Sequence, residues 1–132
     1  MSYVELAFFE LTKTHNCYAQ FEGVLNDESD FNKVKVRTNT LDTDGISYIY
    51  ANDISLLGFT WEDVVNKSVE LETTEPLKYL RVERNKLLDE TDWWVLPDRT
   101  ATDEQLAYRQ ALRDITDTYS SLDDVVWPAK PE

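Results

Sequence analysis

At 132 residues the chain has material for one modest domain or two small units, and a core of that size folds without disulfides or metals. Its 13 lysines and arginines against 26 acids leave a net charge of −13, which opposes a direct grip on phosphate backbones or anionic membranes and so excludes both as primary partners. With 42% hydrophobic and 12% aromatic residues, the acids belong on the surface of a packed body and not in a disordered tail.

The chain opens Met1-Ser2-Tyr3-Val4-Glu5, with neither a basic flank nor a long apolar stretch, and no run approaches the length of a membrane span. This predicts a protein made and used in a cytoplasm, or packed into a particle assembled there. From Tyr3 to Leu11 the residues are β-favouring and partly alternating, which predicts a strand. A second strand is expected over Asn16 to Leu25, joined to the first through Thr14-His15-Asn16. An acidic turn, Asn26 to Asp30, leads to Val34-Lys35-Val36-Arg37-Thr38, whose alternation is that of a half-exposed or edge strand. Asp42-Thr43-Asp44-Gly45 is a strong turn signal before a fourth strand, Ile46 to Ala51.

The character changes at Asn52. Asp53 to Leu57 reads as a helical turn closed by Gly58, and Thr60 with Asp63 reads as the capped start of a short helix. Val69-Glu70-Leu71 is expected to return as a brief fifth strand. Pro76 then fits the first turn of a new helix, about Glu75 to Glu90, with Leu77, Leu80, Leu87 and Leu88 near one stripe. The last helix starts at Thr102, paired with Gln105 in a capping box, and continues through Tyr108, Leu112, Ile115 and Tyr119. The expected architecture is therefore α+β: an antiparallel β-rich N-terminal domain with a short helix, residues 1–72, followed by an αα-hairpin with an apolar, Trp-containing linker, residues 73–132.

Chemistry is sparse. Only Gly23, Gly45 and Gly58 are available, so no phosphate-binding loop exists. Cys17 and His15 are the only residues of their kinds, too few for a zinc site, and no third group orients them as a catalytic pair; a buried thiol beside an exposed histidine is the expected arrangement. The acids of 27–30 and 42–44 lack the spacing of a calcium loop and read as turns. A single cysteine permits no internal bridge. No metal, no cofactor and no catalysis are expected.

The positive features sit near the C-terminus, where three of four tryptophans and three of four prolines fall between Trp93 and Pro131. Trp93 and Trp94 are adjacent; on an extended segment they point opposite ways, which predicts one core residue and one contact residue, here Trp93 and Trp94 respectively. Arg81, Arg84, Arg109 and Arg113 concentrate positive charge on the two helices, either in ion pairs with Glu83, Asp89, Asp92 or Asp114 or as a charged rim around the aromatic anchor. Trp127-Pro128 reads equally as a strap across the hairpin or as a docking peptide. The candidate partner-binding residues are Trp93, Trp94, Arg84, Arg109, Arg113, Trp127 and Pro128.

The pieces Leu80-Arg81, Glu83 to Leu88, Thr91-Asp92-Trp93, Leu96-Pro97-Asp98, Tyr108 to Ile115 and Trp127 to Pro131 occur in an order that resembles the tail assembly chaperone family of tailed bacteriophages, a module also seen at the C-termini of tail-fibre assembly proteins. The resemblance covers about residues 74–131. It implies a non-enzymatic viral protein that binds a tail or tail-fibre protein in the host cytoplasm during assembly; the same module on a permanent component of the virion tail is the alternative. An acidic DNA mimic that blocks a host protein is a further alternative, set against acids interleaved with thirteen basic residues. In the N-terminal half, Asp44-Gly45, Tyr48 to Asn52, Leu57 to Thr60, Asp63 and Lys67-Ser68 are similar to the first half of a PAS sensor domain, without the strands that would complete it.

Overall fold

In the computed structural model, which describes residues 1–132, the first element is helix α1 (Tyr3–Thr14), in place of the strand expected over Tyr3 to Leu11. Ser2 caps it: its hydroxyl accepts from the Glu5 amide at 3.1 Å, and the Glu5 carboxylate accepts from the Ser2 amide at 3.2 Å. Val4, Ala7, Phe8 and Leu11 then fall at the spacing of one helical face, and Ala7 and Phe8 are fully buried. The alternation of Val4, Leu6 and Phe8 is real, but the cap and the helical stripe outweigh it. The other oxygen of Glu5 accepts from the Leu25 amide at 3.3 Å, tying the helix start to the loop after β1.

All five phenylalanines of the chain meet around Phe8. Its ring lies 5.8 Å from Phe9 and from Phe59, 5.7 Å from Phe21 and 6.3 Å from Phe31, each near edge-to-face, the arrangement the ring quadrupoles favour. Trp61 closes the cluster against Phe31 at 5.8 Å. Leu25, Val34, Val36, Leu57, Val64 and Leu71 complete this core.

A three-stranded antiparallel sheet, ordered β1-β2-β3, covers part of it. The expected second strand contracts to β1 (Ala19–Gln20), because Thr14-His15-Asn16 ends a helix and is not a hairpin turn; Asn16 there takes φ 52°. The acidic segment after it is a single helical turn, α2 (Glu28–Phe31), capped by the Asp27 side chain on the Asp30 amide at 2.9 Å. Strand β2 (Lys35–Leu41) is the central strand and not an edge: Val36 pairs with Ala19 on one side and Ala51 on the other. Its partner β3 (Tyr48–Ala51) follows the expected turn, where the Asp44 carboxylate accepts from the Ile46 and Ser47 amides at 2.8 and 2.9 Å. Those bonds hold the Asp44 carboxyl below its ordinary range. Gly45, at φ 68°, supplies the left-handed position of the turn.

The expected helical turn is a 3-10 turn (Ile54–Leu57) closed by Gly58 at φ 82°. Thr60 and Asp63 then cap α3 reciprocally, with the Thr60 amide on the Asp63 carboxylate at 2.8 Å; that bond, then the Thr60 hydroxyl, lowers the Asp63 carboxyl. Helix α3 runs from Trp61 to Asp89 without interruption, so the expected short helix, fifth strand and separate third helix are one element. Val64, Ser68 and Leu71, all buried, lie four and three residues apart, the spacing of a helix face. Pro76, expected at a helix start, is inside the helix. The carbonyl it leaves without a donor belongs to Glu72, an exposed residue where water can serve as donor. The helix also occupies the positions where a PAS-like unit would need further strands.

The chain divides into two units, Met1–Glu72 and Thr73–Glu132, and the fold class is α+β. In the second unit the end of α3 is followed by a 3-10 turn (Asp92–Val95), α4 (Asp103–Arg113), the short α5 (Ile115–Thr118) and an extended segment to Glu132. Thr102 and Gln105 form the expected capping box on α4, at 3.0 and 3.1 Å. Trp94, Tyr108 and Leu112 are its core, with Leu87, Leu88, Ala101 and Trp127 packed against them.

Replacing Pro76 by Ala restores one backbone donor and relieves the ring clash, and is expected to raise stability by up to about 3 kcal/mol, read as a higher denaturant midpoint at unchanged slope. A lower midpoint would show that the proline is needed where it stands.

Candidate partner-binding site

The site is built where α3 stops. Arg109, on the inner face of α4, is a buried residue whose guanidinium donates from Nη1 to the Leu88 carbonyl at 2.8 Å and to the Thr91 hydroxyl at 2.7 Å, and from Nη2 to Asp92 Oδ1 at 2.9 Å. The Leu88 carbonyl also accepts from the Thr91 amide at 3.0 Å and the Thr91 hydroxyl at 3.1 Å. Three donors therefore converge on one carbonyl in the last turn of α3, where the helix dipole places negative charge. Of the ion pair itself, Asp92 is 60% exposed, so water screens it; the carbonyl and hydroxyl bonds are the stronger part of the contact.

The turn that follows sends the two adjacent tryptophans to different environments, in the reverse of the expected order. Trp94 is 3% exposed and packs on Tyr108 with ring centroids 6.0 Å apart, while Trp93 is 50% exposed. The reason is the 3-10 turn, which separates successive side chains by about 120° and not by the half-turn of an extended strand. Trp93 is held in place from both sides: its indole Nε1 donates to the Glu90 carbonyl at 3.1 Å, and the Arg99 guanidinium lies over its ring at 4.2 Å. Val95 and Leu96 continue the exposed apolar surface. Burial, and secondarily the Glu90 charge, push the Tyr108 hydroxyl above its ordinary value.

The C-terminal segment is a strap. Trp127 packs against the core, Pro128 is half-buried, and the Lys130 ammonium reaches Glu90 at 3.8 Å and lies 5.9 Å from the Trp94 ring centre. The remaining candidates stand apart from this cluster of contacts. Arg84, half-buried, donates to Asn85 at 3.0 Å, and the exposed Arg113 donates to Gln110 at 3.0 Å; neither joins an ion pair. Of the expected pairs only Arg109 with Asp92 forms. Val95, Leu96 and Arg99 were not among the candidates, although the apolar run Trp93 to Leu96 ahead of Pro97 signals an exposed turn.

In the first unit, His15 and Cys17 follow the end of α1 and do not share a strand face. The His15 ring packs on Phe59 at 5.2 Å with Nδ1 2.9 Å from the Leu11 carbonyl, and burial pushes the Cys17 thiol above its ordinary value, the opposite of nucleophile activation.

Arg109→Ala is expected to destabilise the protein by about 2–3 kcal/mol, since it removes a buried side chain together with its charge-assisted bonds to the Leu88 carbonyl and the Thr91 hydroxyl, and Arg109→Lys to recover little of it because an ammonium cannot fork. Asp92→Ala should cost less than about 1 kcal/mol in the same denaturation series. Trp94→Ala should cost about 3–5 kcal/mol and Trp93→Ala about 1 kcal/mol or less; equal losses would contradict the division of the pair.

No curated protein and no solved structure matches the chain. One family model does, over residues 77–132, the part of the chain that carries Arg109, both exposed and buried tryptophans of the turn, and the C-terminal strap; its description is "Phage tail assembly chaperone protein". Residues 77–132, less than half of the chain, are thus similar to the phage tail assembly chaperone family.

Proposed function

We propose that the protein assists the assembly of a phage tail by binding a tail or tail-fibre component through its C-terminal unit, without catalysis. The family match over residues 77–132 carries this reading. It is supported by the exposed Trp93, Val95 and Leu96 beside a junction that Arg109 anchors through the Leu88 carbonyl and the Thr91 and Asp92 side chains, since a preorganised aromatic anchor loses little freedom on binding. Trp93 is the contact residue of the candidate set, with the half-buried Arg84 and the exposed Arg113 as charges beyond it. Trp94, Arg109, Trp127 and Pro128 act from inside, by building the surface that Trp93 tops. The first unit has no such match; its role in this reading is to set the target or location. Action takes place in the infected host while tails are being built.

Mass spectrometry of purified virions beside infected-cell lysate separates an assembly factor from a virion constituent. The expected result is abundant protein in the lysate, cross-linkable to a tail or fibre protein, and none in finished particles. A fixed copy number in the particle would replace the chaperone reading with that of a structural tail component.

A further inference from the structure

We infer that the Trp93 turn receives a basic, amphipathic segment of its partner, apolar side chains on Trp93, Val95 and Leu96 and a partner cation on the indole face that Arg99 now occupies. This rests on the proposed binding role of the C-terminal unit and adds the chemistry of what is bound. The apolar surface is built from Trp93, Val95 and Leu96, three exposed positions of a four-residue apolar stretch whose other member, Trp94, is buried. Between residues 89 and 104 the only basic residue is Arg99, whereas six are acids. Asp92 and Glu90 are engaged by Arg109 and Lys130, but Asp89, Asp98, Asp103 and Glu104 join no ion pair and surround the turn in sequence with unneutralised charge. An acidic partner would meet repulsion here, and a neutral one would leave these carboxylates uncompensated at the contact. A second copy of this chain, with a net charge of −13, is disfavoured on the same ground.

Arg99 supplies an independent indication. With its guanidinium 4.2 Å from the Trp93 ring centre, it shows that this indole face accepts a cation, and it does so from an exposed position with no carboxylate partner holding it there. A partner arginine or lysine can take over that face while Arg99 swings into solvent.

The test uses the full chain and three synthetic 18-residue helical peptides as probes: one of leucine and lysine with an apolar stripe, its leucine–glutamate twin, and a lysine–serine twin without the stripe. Titration calorimetry is expected to show binding of the leucine–lysine peptide, about tenfold weaker binding of the other two or none, and about tenfold weakening by Trp93→Ala, whose melting curve should stay close to the parent's. Arg99→Ala, which clears the ring face, should leave that affinity equal or higher. Binding of the leucine–lysine peptide unchanged by Trp93→Ala would overturn the proposal, as would equal binding of the glutamate twin or an affinity lost on Arg99→Ala. The same variants tried against the phage's own tail proteins keep the two claims apart. Capture of a tail protein equally by parent and Trp93→Ala would retain the assembly role and reject this surface. Peptide binding at Trp93 without capture of any tail protein would do the reverse.

Discussion

The second unit depends on one buried guanidinium. Arg109 reaches from α4 to the end of α3, and in doing so it adds a third donor to the Leu88 carbonyl, fixes the hydroxyl of the fully buried Thr91, and holds Asp92 at the entry of the next turn. A guanidinium is suited to this because its donors are planar and divergent, so one side chain meets three acceptors at once, and it stays charged in a poorly solvated place. The chain leaves α3 in a tight turn, Trp94 drops onto Tyr108 and Trp93 is turned outward. The strap from Trp127 to Lys130 then closes over what remains of the core.

The first unit is held by different means. Its centre is a ring of edge-to-face phenylalanines around Phe8, contributed by α1, by the segment after β1, by α2 and by the residue before Thr60. No ion pair is buried there; Lys67, which bridges Glu10 and Glu70, is the nearest case and lies at the surface. Its polar bonds serve mainly to begin elements and shape turns, at Ser2, Asp27, Asp44, Asp53 and Thr60. The family match begins at residue 77 and does not extend to this unit.

Much of this was legible where local chemistry acts over three or four residues. The Thr102–Gln105 box, the Asp44-Gly45 turn, the closure at Gly58 and the Thr60–Asp63 cap all stand where the residues placed them. Ser2 and Glu5 carry the equivalent spacing, but the β-branched and aromatic run behind them fits a strand and a buried helix face equally well. Pro76 is a related case: Thr-Thr-Glu-Pro is a sound helix start, yet the helix runs through it, with Leu71 and Leu80 buried on either side. The candidate site was legible in location but not in detail. Arg109 meets its acceptors across 17 to 21 residues, and no local pattern tells a surface arginine from one aimed into such a junction. The inversion of Trp93 and Trp94 follows from the 3-10 turn, which a reading of the segment as extended does not anticipate.

The distribution of indoles has a practical consequence. Trp61 lies against Phe31 in the first unit, and Trp94 against Tyr108 in the second, so each unit carries a fluorophore embedded in its own packing. Emission from these two positions answers to different parts of the chain, and Trp93, beside Arg99, adds a third reporter open to solvent. Optical unfolding of the unlabelled protein can thus register whether its two parts come apart together or in sequence.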